Sequence, residues 1–285
     1  MYLSTLMINV GTNPDRPRPG RLWLRNVYRV HQRLAMAFPS DRRKDSDPEF
    51  LEPYSPEDFA PQPGSVGPSQ DASPSDTLTQ VHTRRSAGAG FLFRIDPLPG
   101  GRAMIVVLSH QDPDWSYAFG LKPGQVDGET RRPIGNAGHL LAAPPEAPRR
   151  LQVSLSPGAR FHFRLTANPT KKTRTLAKRE RLAKTPKRHG SRVPVRPQEF
   201  ADWLVSRSER HGFRLVEPLR DTLSVVGGYV YMNKKHKASE GQHLRSVRYE
   251  GVLEITDVER FRDALLSGIG PAKAFGFGLL SVAPV

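Results

Sequence analysis

The sequence predicts an α+β fold of two tandem ferredoxin-like units, each an antiparallel sheet with helices on one face. Three observations carry this. The length, 285 residues, suits two modest domains at roughly 100–200 residues each. The first half reads strand–helix–strand–strand–(irregular)–strand. The second reads helix–strands–helix–strand, and both orders fit a βαββαβ unit.

Tyr2–Ile8 reads as a strand, because Thr5, Leu6, Met7 and Ile8 suit a pleated, largely buried surface. Gly11–Arg25 is rich in Pro, Arg and Gly and reads as a loop. Asn26 is placed to cap a helix in which Val27, Val30, Leu34 and Ala37/Phe38 share one face, and Pro39 ends it. From Ser40 to about Gly90, Pro, Ser, Asp and Gly dominate and the aromatics lose periodicity. That composition predicts an exposed insertion, disordered in part. Phe91–Ile95 and Ala103–Ser109 read as short strands about the turn residues Pro97 to Gly101. Residues 117–150 give no clear pattern.

Arg160–Ala167 alternates cleanly. Phe161, Phe163 and Leu165 fall on one side, and Arg160, His162, Arg164 and Thr166 on the other, as in a strand with one buried face. Glu199–His211 reads as a helix with Phe200, Trp203 and Leu204 inward. Phe213–Val216, Thr222–Met232 and Leu244–Ile255 read as strands. Thr256 and Glu259 have capping-box spacing before a last helix whose apolar face is Val258, Phe261 and Leu265; Gly268 stops it. A final strand runs from Gly278 to Ala283. The chain thus divides into an N-terminal unit over 1–170, interrupted at about 40–90, a basic segment over 171–198 and a C-terminal unit over 199–285.

Charge narrows the partners. Lys and Arg number 43 against 28 Asp and Glu, a net charge of +15, which favours a polyanion such as nucleic acid or an anionic membrane surface. There is no cysteine, which excludes disulfide scaffolds, thiolate nucleophiles and Cys-ligated metals. It also gives no sign of an oxidising compartment, so a cytoplasmic location is expected. The longest apolar runs, such as Met104–Leu108, fall far short of the ~20 residues that span a bilayer. Met1–Val10 lacks the pattern of a secretion signal. No membrane association is expected.

Nine of the fifteen net charges lie in one stretch. Between Lys171 and Arg192 stand Lys171, Lys172, Arg174, Lys178, Arg179, Arg181, Lys184, Lys187, Arg188 and Arg192, opposed only by Glu180. Such a run is either a solvated linker or a surface for phosphates. Lys234-Lys235-His236-Lys237 is a second cluster, at a strand end. The loop Gly268–Gly278, with glycines at 268, 270, 276 and 278, matches neither a dinucleotide fingerprint nor a P-loop. It is either a helix cap with a tight turn into a strand, or a backbone-rich loop that brings N–H groups and Lys273 to phosphates. Tyr28 and His31 are three residues apart and share a helix face bordering the apolar stripe. The carboxylates do not cluster and the remaining histidines show no ligand spacing, so neither metal nor cofactor is expected. His162, on the basic strand face, is the one to watch.

Four stretches together resemble one family. The Gly268–Gly278 loop running into Leu279-Leu280-Ser281-Val282-Ala283-Pro284 is similar to the glycine-rich loop that closes the RAMP proteins of CRISPR systems. The opening Met1-Tyr2-Leu3-Ser4, the helix Val27–Leu34 ending at Ala37-Phe38-Pro39, and Phe163–Lys171 agree in the same order, and Glu250–Leu253 looks like the family's penultimate strand. The nearest resemblance is to the repeat-processing endoribonucleases of type I-E Cascade, the CasE family. The resemblance implies that Tyr28 and His31 are the catalytic pair. It also implies that Lys171, Lys172, Arg174, Lys178, Arg179, Arg181, Lys184, Lys234, Lys235 and Lys273 bind RNA, beside the glycine-rich loop. CRISPR repeat RNA and the other Cascade subunits are the implied partners of a chain that is monomeric when free. The rival expectation is a non-catalytic subunit that only holds guide RNA, with His31 structural.

Overall fold

The computed structural model describes residues 1–12, 18–39, 44–45, 47–48, 90–129, 132–172, 192–216, 223–232 and 242–285. The described residues up to Gln152 form one compact unit and those from Val153 onward form a second.

The first unit opens with strand β1 (Tyr2–Asn9), helices α1 (Pro19–Leu24) and α2 (Val27–Ala35), and the hairpin β2 (Phe91–Leu98) and β3 (Arg102–Ser109). Helix α3 (Trp115–Phe119), the ribbon of β4 (Leu121–Val126) with β5 (Pro133–Gly135), and the two-residue strand β6 (Arg149–Arg150) follow. The sheet order is β2-β3-β1-β6, every pair antiparallel. This is the strand order of a ferredoxin-like unit, with β6 in fourth place. Alternation along β1 turns Leu6 and Ile8 toward Val30 and Leu34 of α2, and Phe93, Ile105 and Val107 complete that core. Strand β2 runs through Pro97, further than its pattern predicts, because an edge strand tolerates a residue that cannot donate.

Two expectations for this unit change. Gly11–Arg25 contains α1, whose Gly20 lies so close to β1 that an added Cβ would stand 2.2 Å from the Asn9 carbonyl oxygen. The helix is stabilised by that tertiary approach, which composition alone does not reveal. Most of the expected 40–90 insertion lies outside the described residues, but its described beginning is not simply exposed. The Tyr117 hydroxyl donates to the Asp47 carbonyl at 2.9 Å, Asp47 is buried, and Lys44 pairs with Asp114 at 2.7 Å.

The second unit comprises β7 (Arg160–Ala167), β8 (Thr170–Lys172), β9 (Arg192–Pro194), α4 (Phe200–Ser208), β10 (Phe213–Leu215), β11 (Ser224–Met232), β12 (Gln242–Ile255), α5 (Val258–Ser267) and β13 (Leu280–Pro284). Its sheet runs β10-β12-β7-β13, and β11 pairs with the first part of β12. The fourteen-residue β12 is therefore bordered on one edge by two successive strands: β11 along Gln242–Glu250 and β10 along Leu253–Ile255. Counting β10 and β11 as one interrupted strand, the βαββαβ order recurs. Phe163, Leu165, Trp203, Phe213, Tyr249 and Phe261 are central to its core.

Strand β7 was expected to complete the first sheet, in a unit ending at 170. It pairs instead with β12 and β13, so it opens the second unit. Alternation identifies a half-buried strand but carries nothing about its partner, and β6 is too short to show a pattern. The segment 171–198 is likewise not a connector between units. Its described ends form an antiparallel ribbon, Lys171 opposite Val193 and Lys172 opposite Arg192. Helix α5 is capped by Asp257, whose carboxylate accepts from the Arg260 N–H at 3.0 Å, one residue after the expected Thr256. Aspartate at that position satisfies the same orphan donors.

Candidate catalytic helix and nucleic-acid interface

The Asn26 side chain accepts from the Tyr28 N–H at 3.2 Å and starts α2, which fixes the phase of the two residues that follow. Tyr28 is half-buried. His31, on the next turn, is 7 % exposed. Its imidazole stacks on Phe91 of the edge strand β2, centroids 5.2 Å apart and planes 23° from parallel, and lies 6.4 Å from Phe93. Phe38 stacks near Phe91 as well, at 5.4 Å, so Phe91 supports the middle of the helix and the turn that follows it. Arg33 donates to the Ala118 carbonyl at 2.9 Å, tying α2 to α3; burial pushes its guanidinium below the usual arginine range. The helix therefore sets a phenol and an imidazole one turn apart over a sheet edge, the imidazole held by an aromatic floor rather than by open water.

In the second unit the glycine-rich loop has the form of its first sequence reading, a helix cap with a tight turn into a strand. Gly268 caps α5, its N–H donating to the Ala264 carbonyl at 2.9 Å. The Ile269 N–H donates to the Gly278 carbonyl at 2.9 Å, and the Gly278 N–H donates to Thr166 of β7 at 2.7 Å, which staples the loop onto the sheet. Gly270 and Gly276 both have positive φ, 87° and 80°. At Gly270 the neighbour demands glycine too, because an added Cβ would stand 3.0 Å from the Trp203 ring.

Trp203 is the hub. Its indole N–H donates to the Thr170 carbonyl at 3.3 Å, its face stacks with Tyr249 at 6.1 Å, and the Arg207 guanidinium lies 4.0 Å over the ring. Around it gather basic side chains from three stretches of chain. Burial and then the charges of Lys273, Arg207 and Arg210 hold the His211 imidazole below its ordinary range. Arg207 is lowered by burial first, then by Arg210 and Arg192. The charges of Arg192, Arg210 and Lys273 thus bear on Arg207 and His211, which makes the five one basic cluster, at which phosphates would replace repulsion with attraction.

Of the expected RNA-binding residues, Lys273 joins this cluster. Lys171 and Lys172 stand on β8, where Lys171 bonds to Glu199 at 2.6 Å and holds that carboxyl below its usual range. Arg174, Lys178, Arg179, Arg181, Lys184, Lys234 and Lys235 lie outside the described residues. Arg207, Arg210 and His211 were not among the expected residues. Their one signal was two arginines and a histidine spaced over the last turns of a helix.

The basic face of β7 is more nearly balanced than its sequence suggests. Glu254 accepts from Arg160 at 3.0 Å and from Arg214 at 2.6 Å, and these bonds lower its carboxyl. Glu250 bonds Arg164 and lies 3.7 Å from Arg248. His162 shares this face, opposite Val252 and Ala283. Among the described residues no three His, Asp or Glu side chains converge as metal ligands would, and no helix is long and apolar enough to cross a membrane.

Comparison with known proteins points the same way. The family described as CRISPR associated protein matches residues 75–284. The CRISPR-associated endoribonuclease Cse3 of Thermus thermophilus is 33 % identical over 199 residues, 68 % of this chain and 79 % of that protein. The Cascade subunit CasE of Escherichia coli K12 is 32 % identical over 140 residues, 48 % of this chain and 64 % of that protein. Thermus thermophilus Cse3, solved with an RNA representing a pre-cleavage complex, superposes with a TM-score of 0.57 at 26 % identity, covering all of both chains. With the matched family spanning most of its length, the chain belongs to the CRISPR-associated proteins, in the company of Cse3 and CasE.

Proposed function

We propose that this chain is an endoribonuclease that binds the stem-loop of a CRISPR repeat transcript, cuts at the base of the stem, and stays on the product as a subunit of Cascade. The observation that carries this reading is the likeness, over 199 residues, to a protein named as a CRISPR-associated endoribonuclease. The setting is cytoplasmic, where such a transcript is made.

The substrate brings its own nucleophile. The ribose 2′-oxygen beside the scissile phosphate attacks phosphorus in line, losing its proton as the P–O bond forms. The bond to the next nucleotide's 5′-oxygen breaks, and that oxygen takes up a proton. A 2′,3′-cyclic phosphate and a 5′-hydroxyl result. The protein must align the attack, move protons near neutral pH and offset charge on the phosphorane. His31 moves a proton, as imidazole titrates in that range. Tyr28, one turn away, orients the phosphate or shares the proton transfer. Neither task calls for a metal ion. The cluster around Trp203 holds stem phosphates, by backbone shape rather than base sequence.

The burial of His31 against Phe91 favours one second reading, a guide-RNA-binding subunit in which the imidazole is only core. Incubating a repeat RNA with the protein in EDTA, beside His31→Ala, separates the two. Cleavage by the wild type alone supports the nuclease. Tight binding without cleavage by either protein supports the second reading.

A further inference from the structure

The β11–β12 hairpin and the start of α4 enclose a groove of about 440 Å³ that the catalytic scheme does not use, lined by Pro197, Phe200, Gly227, Gly228, Tyr229 and Arg245 among others. Resting on the RNA reading above, we propose that this groove takes one unpaired nucleobase of the bound RNA, stacked on Tyr229.

Four observations converge on a flat aromatic ligand attached to a phosphate chain. First, Tyr229 is 64 % exposed, the most exposed large ring among the described residues. Second, the ring is pre-positioned. Arg245 stands directly opposite it on β12, its guanidinium 5.2 Å from the ring centroid, and donates to the Tyr229 hydroxyl at 3.0 Å. The same guanidinium lies 5.8 Å from the Phe200 ring, so it sits between two aromatic walls. Third, Gly227 and Gly228 lie side by side within β11, paired with Val247 and Ser246, and neither has the positive φ that calls for glycine. A Cβ on Gly227 would stand 3.3 Å from the Phe200 ring that walls the groove. A Cβ on Gly228 would meet nothing closer than 4.0 Å, so packing does not require glycine there either. Paired glycines inside a strand weaken it and commonly mark close approach by a ligand. Fourth, none of the lining residues is acidic, and Arg245 supplies the positive charge that a nucleotide's phosphate needs.

The volume lies within the roughly 300–1,000 Å³ of small-molecule sites. An aromatic shelf beside an arginine reads the face of a base, and that face is available only where the base has left a duplex. The occupant is therefore a single-stranded nucleotide flanking the stem, not a paired one.

The test uses the full chain and a repeat stem-loop RNA in which 2-aminopurine replaces each flanking unpaired base in turn. On binding to wild type, one position should be quenched. Tyr229→Phe should keep that quench, and Tyr229→Ala should lose it and bind about 5- to 150-fold more weakly, the range expected for one stacked base. Tight wild-type binding with the same quench and affinity in Tyr229→Ala overturns the groove proposal alone. Wild-type protein that does not bind the RNA at all overturns the RNA reading and this one with it. Because Tyr229 is largely exposed, an unchanged melting temperature is expected for both variants.

Discussion

Arg207 and Trp203, one helical turn apart on α4, form a stacked pair: the guanidinium lies 4.0 Å over the indole and also donates to the Trp203 carbonyl at 3.1 Å. The same indole is the wall against which Gly270 closes. A cation is thus held by packing, beside a loop that needs glycine, with its charge turned toward other cations.

The first prediction follows from that cluster. Arg210→Gln with Lys273→Gln should weaken RNA binding and flatten its dependence on salt, by about 0.7–0.9 in log–log slope for each phosphate that is no longer neutralised. Titrations at several salt concentrations measure this. An unchanged slope would mean that the cluster holds no phosphate.

The proposed function gives His31 a chemical role separable from its packing on Phe91. His31→Ala should slow cleavage by about 10²–10⁴-fold and also lower the melting temperature, since it removes the ring that packs on Phe91. His31→Phe keeps a ring on Phe91 and should stay folded and RNA-bound yet equally inactive. Cleavage by His31→Phe at the wild-type rate would remove the imidazole from the chemistry.

Replacing the ribose beside the scissile phosphate with 2′-deoxyribose should abolish cutting while leaving affinity within a few-fold. Gel analysis of the two substrates decides it. Cutting of the deoxy substrate would require activated water instead.

His211 makes a prediction about acid. Its imidazole is held below its ordinary value near 6.5, by burial and then by Lys273, Arg207 and Arg210. The unfolded chain then binds this proton more readily than the folded one. The stability it contributes is complete above pH 6.5 and is lost as pH falls toward the lowered folded value. His211→Gln should therefore show a shallower loss of melting temperature below pH 6.5 than wild type. RNA phosphates beside the ring should raise its pKa, so binding should take up protons and tighten as pH falls over the same interval.

Residues 49–86 should be dispensable for cleavage, since their composition suits no core. Extending the deletion to residue 45 should lower the melting temperature by several degrees, because it removes the Asp47 carbonyl that Tyr117 bonds within the first unit. Equal melting temperatures for the two deletions would show that this hydrogen bond is worth nothing.

What could be read from sequence was what is decided locally. Asn26 with Val27, Val30 and Leu34 announces α2, because a cap and a 3.6-residue stripe involve only neighbours. The alternation of Phe161, Phe163 and Leu165 announces β7, but its partners β12 and β13 come from far along the chain, and so its unit could not be read from the pattern. The cluster on Trp203 was illegible for the same reason. Arg192, Arg207 and Gly270 belong to separate elements, and only folding makes them neighbours. The aromatic floor of His31 was hidden likewise, since Phe91 reaches the helix from a distant strand.

The β8–β9 ribbon changes what kind of object the basic run is. Both ends of the stretch from Lys172 to Arg192 are fastened to each other, and Arg192 reaches the Trp203 cluster. Residues 173–191 therefore leave the second unit and return to it at neighbouring points. Changing their number alters the entropy of closing that loop only as (3/2)RT ln n, so insertions or deletions there should leave the pairing of β8 with β9 intact.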